Sequence, residues 1–218
     1  MPRNKYPEET VKKILEVSLK LFIEKGFEQT TVLDIVENLG GLTRGAFYHH
    51  FKTKEDVLSA ILKEKYNEYN AFEEIADDKS LNGLEKFQTA IKNALKHDLP
   101  DKKSSTESVI AVPLLSNPRF LVEHIKSNHK NVETLSNIIK EGMQDGSIRK
   151  DNNKLLAELY LLLTNIWMLP SVFPATKSEF AAKGAFVSQL FELLGCPVVD
   201  EELEELYFQV YETVYGSR

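Results

Sequence analysis

Residues 30–56, TTVLDIVENLGGLTRGAFYHHFKTKED, constrain this chain more than any other stretch, because two short amphipathic helices meet there at a glycine turn and a third capped helix follows at once. Val32, Ile35, Val36 and Leu39 share one side of a helix that starts on Thr31-x-x-Asp34, a capping-box pattern, and stops at Gly40-Gly41. Thr43 is placed to cap the next helix, whose Phe47 and Phe51 lie four residues apart on one face. Thr53-x-x-Asp56 then opens a fourth helix carrying Val57, Leu58, Ile61 and Leu62. Upstream, Val11, Ile14, Leu15, Ser18, Leu21 and Phe22 form the apolar face of a first helix that Gly26 closes. This is the grammar of a helix-turn-helix.

The remainder also reads as helices. It shows no sustained alternation of period two, and Asp145-Gly146 follows a helical run and suits a helix end, not a hairpin. Helices are expected over 83–96, 105–115, 118–144, 153–169, 177–194 and 201–215. The polar stretch 76–82 marks a change of domain. The fourth helix is expected to run up to it and to bring Tyr66, Tyr69 and Phe72 against the C-terminal part. The expected fold is all-α: an N-terminal three-helix helix-turn-helix domain over 1–54, then a helical domain over 55–218.

Composition bounds the function. The single cysteine, Cys196, can form no internal disulfide, and no Cys or His pair has zinc-ligand spacing, so neither metal nor cofactor is expected and a reducing compartment suits the chain. The polar N-terminus lacks the apolar core of a signal peptide, and the apolar run 155–170 is interrupted by Glu158, Thr164 and Asn165; a cytoplasmic protein with no membrane partner is expected. No nucleophile–base pairing or glycine-rich phosphate loop points to an enzyme. The net charge of −6 argues at first against nucleic acid, but residues 1–60 are balanced and the whole excess lies beyond them. From Thr43 to Lys54 the only charged side chains are Arg44, Lys52 and Lys54, with His49 and His50 beside them.

With Phe47 and Phe51 turned inward, Arg44, Gly45, Tyr48 and His49 share the outer surface of the second short helix. Arg44 can donate twice to a guanine edge or pair with a phosphate, and Tyr48, His49 and His50 can donate to phosphate oxygens. A helical glycine costs about 1 kcal/mol relative to alanine, so Gly45 suggests that a duplex backbone approaches closely. Lys54, at the start of the fourth helix, adds a cation beside free backbone donors. His49 and His50 cannot jointly hold a metal, because adjacent helical residues point about 100° apart.

These residues resemble the TetR (tetracycline-repressor-like) regulators. The resemblance covers about residues 8–60 and runs through Thr30, Thr31, Ile35, Gly40, Leu42, Thr43, Arg44, Gly45, Ala46, Phe47, Tyr48, His50, Phe51, Lys52 and Lys54, after a helix ending in Lys25-Gly26-Phe27. It implies a repressor that binds palindromic operator DNA as a homodimer under the control of a small-molecule effector. Thr31 and Thr43 to His50, Ala46 included, would face double-stranded DNA, and Lys54 would hold a phosphate. Two C-terminal helices of each subunit would form a four-helix interface. The chain departs from the family pattern in an extra turn residue, where Gly40-Gly41-Leu42 replaces Gly-Val, and in Val36 and Leu39, which stand where alanines are usual.

In the C-terminal part the helix over 153–169 is apolar around most of its circumference, and 177–194 mixes small and large apolar residues, which suits close helix approach. Leu163, Trp167, Val187, Leu190, Phe191 and Leu194 are therefore the expected dimer contacts. His97, His124, Glu158 and Asn165, polar groups on otherwise apolar faces, are the expected effector contacts.

Overall fold

A computed structural model describes residues 7–68, 70–99, 115, 118–149 and 151–216, and among them all regular structure is helical. Two compact units share the chain, Met1–Glu68 and Tyr69–Arg218.

In the first unit, α1 (Pro7–Glu24) turns Ile14, Leu15, Leu19 and Phe22 into the core and ends at Gly26, whose φ of +87° only glycine adopts without strain. Two short helices, α2 (Val32–Asn38) and α3 (Arg44–His50), place Ile35 and Phe47 in the same core, together with Leu39 just past the end of α2. The fourth, α4 (Lys54–Glu68), packs Val57, Leu58 and Ile61 there and lies against α1. The units therefore part at the end of α4 and not at 54/55: those three apolar side chains tie the helix to the N-terminal core.

The fourth helix does not run on to residue 76. The Asn70 side chain accepts from the backbone N–H groups of Phe72 (3.2 Å) and Glu73 (3.4 Å) and caps a separate short helix, α5 (Ala71–Ala76). Phe72 and Ile75 are buried in the core of the second unit, whereas Tyr69 and the side chain of Tyr66 lie outside the described residues.

The second unit continues with α6 (Gly83–Asp98), α7 (Pro118–Asp145), α8 (Asn153–Leu162), α9 (Lys177–Leu193) and α10 (Glu201–Tyr215). The expected helix over 105–115 falls almost wholly outside the described residues. At its end α8 widens into a π turn, Leu163–Trp167, in which Met168 N–H reaches back to Leu163 O at 2.9 Å. Phe87, Leu135, Ile138, Ile139, Tyr160 and Phe191 form the centre of the core, with Tyr160 edge-on to both Phe87 and Phe191. No helix among the described residues is long and apolar enough to cross a membrane.

Candidate nucleic-acid interface

The turn between α2 and α3 needs glycine twice. Gly40 has φ +58° and Gly41 φ +97°, and no other residue type has positive φ anywhere among the described residues. The extra turn residue is thus accommodated by two successive left-handed steps. Thr43 then caps α3: its Oγ1 accepts from Ala46 N–H at 3.2 Å. Phe47 is fully buried, with the Tyr48 ring edge-on at 5.5 Å and the Phe51 ring at 6.2 Å, so the rotation of α3 about its axis is fixed from below.

This anchoring leaves Thr43, Arg44, Gly45, Tyr48 and His49 exposed along α3. The Arg44 guanidinium lies 5.5 Å from the Tyr48 ring centre, a cation–π contact that restrains the longest side chain of the surface. Above Gly45 the space is open: a Cβ there would meet only Thr43 Oγ1, at 3.7 Å. Packing within the unit therefore gives no reason for glycine at this position.

The other expected DNA contacts are placed less uniformly. Ala46 and His50 are half-buried, on the flanks of α3. His50 Nε2 is buried without a hydrogen-bond partner among the described residues, and the ring stands 5.0 Å from that of His49. Burial first, then the neighbouring His49, pulls the His50 pKa below the ordinary histidine value. Thr31 is exposed, but its hydroxyl is engaged: it donates to Asp34 Oδ2 at 2.6 Å and accepts from Asp34 N–H at 3.1 Å. Lys52 is exposed. Lys54 is half-buried, and its ammonium donates to Phe27 O (2.7 Å) and Glu28 O (3.1 Å) above the Phe27 ring. It therefore closes the segment after α1 onto the start of α4.

Two nearby groups escaped the sequence reading. Lys25 pairs with Asp34 at 2.7 Å and, with the Thr31 hydroxyl and N–H, holds that carboxyl well below the usual carboxylate range. The one acid of α2's first turn is thereby neutralised. Leu33, 56 % exposed, lies off the Val32–Ile35–Val36–Leu39 stripe, which was the available signal.

In the second unit, the expected effector residues do not converge. His124 is buried and its Nε2 lies 3.0 Å from the backbone O of Asn165 and 2.9 Å from Asn128 Nδ2, which brings His124 and Asn165 together. His97 is exposed, and Glu158 faces Lys154 at 4.0 Å on its own helix. None of the four lines the apolar cavity between the π turn, α9 and α10. Of the expected dimer contacts, Val187 and Phe191 fill their own unit's core and are not available to a partner, while Leu163, Trp167, Leu190 and Leu194 are half-buried. On these two helices the outward large apolar residues are Leu155 and Leu162 of α8 and Phe186 and Leu193 of α9, each pair seven apart.

Comparison with known proteins agrees with this architecture. Residues 14–61 match the sequence profile of the bacterial regulatory proteins of the tetR family. The chain is 28% identical over 155 residues to the HTH-type transcriptional repressor KstR2 of Rhodococcus jostii strain RHA1, an alignment covering 68% of this chain and 72% of that protein. Among solved structures, a TetR/AcrR-family transcriptional regulator from Thermobifida fusca superposes with a TM-score of 0.57 at 22% identity, over 97% of this chain and 100% of that one. The SmeT–triclosan complex does so with a TM-score of 0.56 at 18% identity, over 91% and 90%.

Proposed function

We infer, from a chain that belongs to the TetR family of bacterial regulatory proteins, that α3 is the DNA-reading helix of a transcriptional repressor that works as a homodimer on a palindromic operator and answers to a small-molecule effector. One observation carries the DNA reading: α3 is locked by buried Phe47 and the Thr43 cap, and the side it turns outward is Arg44, Gly45, Tyr48 and His49, with nothing packed above the glycine. Arg44 reads a base edge or pairs with a phosphate, Tyr48 and His49 donate to the backbone, and Gly45 lets the duplex come close. Thr31, Thr43, Lys52 and Lys54 serve as flanking backbone contacts, and Ala46 and His50 border the surface.

The dimer rests on the outward Leu155, Leu162, Phe186 and Leu193, whose exposure to water is unfavourable unless a second copy covers them. Effector control is supported by the fold shared with SmeT, whose structure is a complex with triclosan. A mobility-shift assay on the DNA upstream of the chain's own gene tests the reading. Parent protein should retard that duplex in the presence of excess random DNA, and Arg44→Ala should lose the preference. Retardation of both duplexes alike by parent and variant contradicts it.

A further inference from the structure

The second unit holds a cavity of about 90 Å³ between the π turn of α8, α9 and α10, partly open to solvent. Met168, Phe180, Val199 and Phe208 supply apolar walls, and Ala181, Gly184 and Ala185 of α9 form the remaining side. Two locally unfavourable features converge on this space. A glycine inside a helix is less favourable than alanine, yet a Cβ on Gly184 would meet only the Met168 methyl, at 3.9 Å. Packing leaves room there for a larger residue, and a larger residue would fill the cavity. The π turn, a rarely populated backbone form, sets Thr164 at the same cavity.

The polar groups at the cavity differ in how they are satisfied. Thr164 Oγ1 donates to Tyr160 O at 2.8 Å, and the Tyr207 hydroxyl shares a hydrogen bond of 2.8 Å with Tyr160. The Glu204 carboxylate, exposed beside the cavity in the first turn of α10, makes no hydrogen bond or ion pair among the described residues. An apolar interior with one unpaired carboxylate beside it fits a ligand with an apolar body and a cationic head. Size narrows it further: the space, about 90 Å³, is smaller than the roughly 150 Å³ cavity that takes up benzene, so it admits only the branched end of a short alkyl chain.

We propose that this cavity binds a compact primary amine, its branched alkyl end among Phe180, Gly184 and Phe208 and its ammonium on Glu204. As an effector site it rests on the regulator reading, but binding itself is measured without DNA.

Calorimetry on the full chain with 3-methylbutylamine, 3-methylbutan-1-ol and 4-methylpentanoate tests it. The amine should bind saturably, one per subunit, about tenfold tighter than the alcohol, and the carboxylate should give no binding. Glu204→Gln should bring the amine down to the level of the alcohol, and Gly184→Leu should remove both while helicity by circular dichroism is kept. The proposal is overturned by an amine that gives no saturable heat, by an amine–alcohol gap that survives Glu204→Gln, or by unchanged amine binding in a folded Gly184→Leu protein. Should Gly184→Leu fail to fold, the Glu204→Gln comparison decides. Parent protein that binds amine but no DNA refutes the regulator reading alone, and DNA binding without amine binding refutes this inference alone.

Discussion

A methyl group added at Gly45 would touch only Thr43 Oγ1, 3.7 Å away, so nothing inside the unit opposes alanine there. Gly45→Ala should therefore raise stability by about 1 kcal/mol through helix propensity, while weakening binding to the upstream duplex because the methyl stands where the phosphate backbone must pass. Thermal melts and fluorescence anisotropy on the same sample separate the two effects; a more stable protein with unaltered DNA affinity would remove Gly45 from the interface. Lys54 presents the opposite case. Two of its three N–H donors already serve Phe27 O and Glu28 O. Lys54→Ala should cost about 1–3 kcal/mol by stranding those carbonyls, and should lower the salt slope of DNA binding by about one unit if the third donor meets a phosphate. A variant as stable as the parent contradicts the role assigned to the ammonium here.

Among the elements, α1 to α3 and the start of α4 were legible because their signals are short-range: caps at Thr31, Thr43 and Thr53, glycines at the stops, and apolar stripes on one side. The end of α4 was not, since Asn70 interrupts a run of residues that all tolerate helix and declares itself only by capping α5. Periodicity also failed on α8 and α9. Where a helix is apolar all round, spacing cannot tell the side that fills its own core from the side left outside, and so it marks Val187 and Phe191, which are buried, as outward and passes over the exposed Phe186 and Leu193. Leu193→Asp should yield a folded monomer by light scattering, because Leu193 is 75% exposed, whereas Phe191→Asp should unfold the second unit. A dimer that survives both Leu193→Asp and Phe186→Asp moves the interface elsewhere. The start of α10 is tied to α6 by charge: Lys92 meets Asp200 at 2.7 Å and Glu202 at 2.8 Å, and Lys96 meets Glu202 at 2.7 Å. These lysines bring the Glu202 pKa down from 4.5 to about 2. A depressed carboxylate stabilises fully above its unfolded value and loses that contribution as pH falls through its folded one. Glu202→Gln should therefore flatten the loss of stability between about pH 4.5 and about pH 2, as followed by circular dichroism, and leave neutral-pH helicity unchanged.

At the scale of the molecule, charge and symmetry decide what the chain can do. The net charge of −6 lies outside the balanced first 60 residues, so the acidic bulk repels DNA while the reader is left free to approach it. A single short helix with one arginine offers little sequence discrimination; two copies joined through α8 and α9 would read two half-sites whose spacing the dimer fixes. An effector then needs only to bind the two arrangements of the readers unequally, and coupling of about 1–3 kcal/mol would change DNA affinity roughly 5- to 150-fold. Hydroxyl-radical footprinting of the parent protein on the DNA upstream of its own gene tests this account most directly. The account predicts two protected patches related by a dyad, their centres separated by about 34–36 Å of duplex or a multiple of it, and loss of both patches in Arg44→Ala. Uniform protection along the whole duplex, fading with salt and the same in Arg44→Ala, would contradict it.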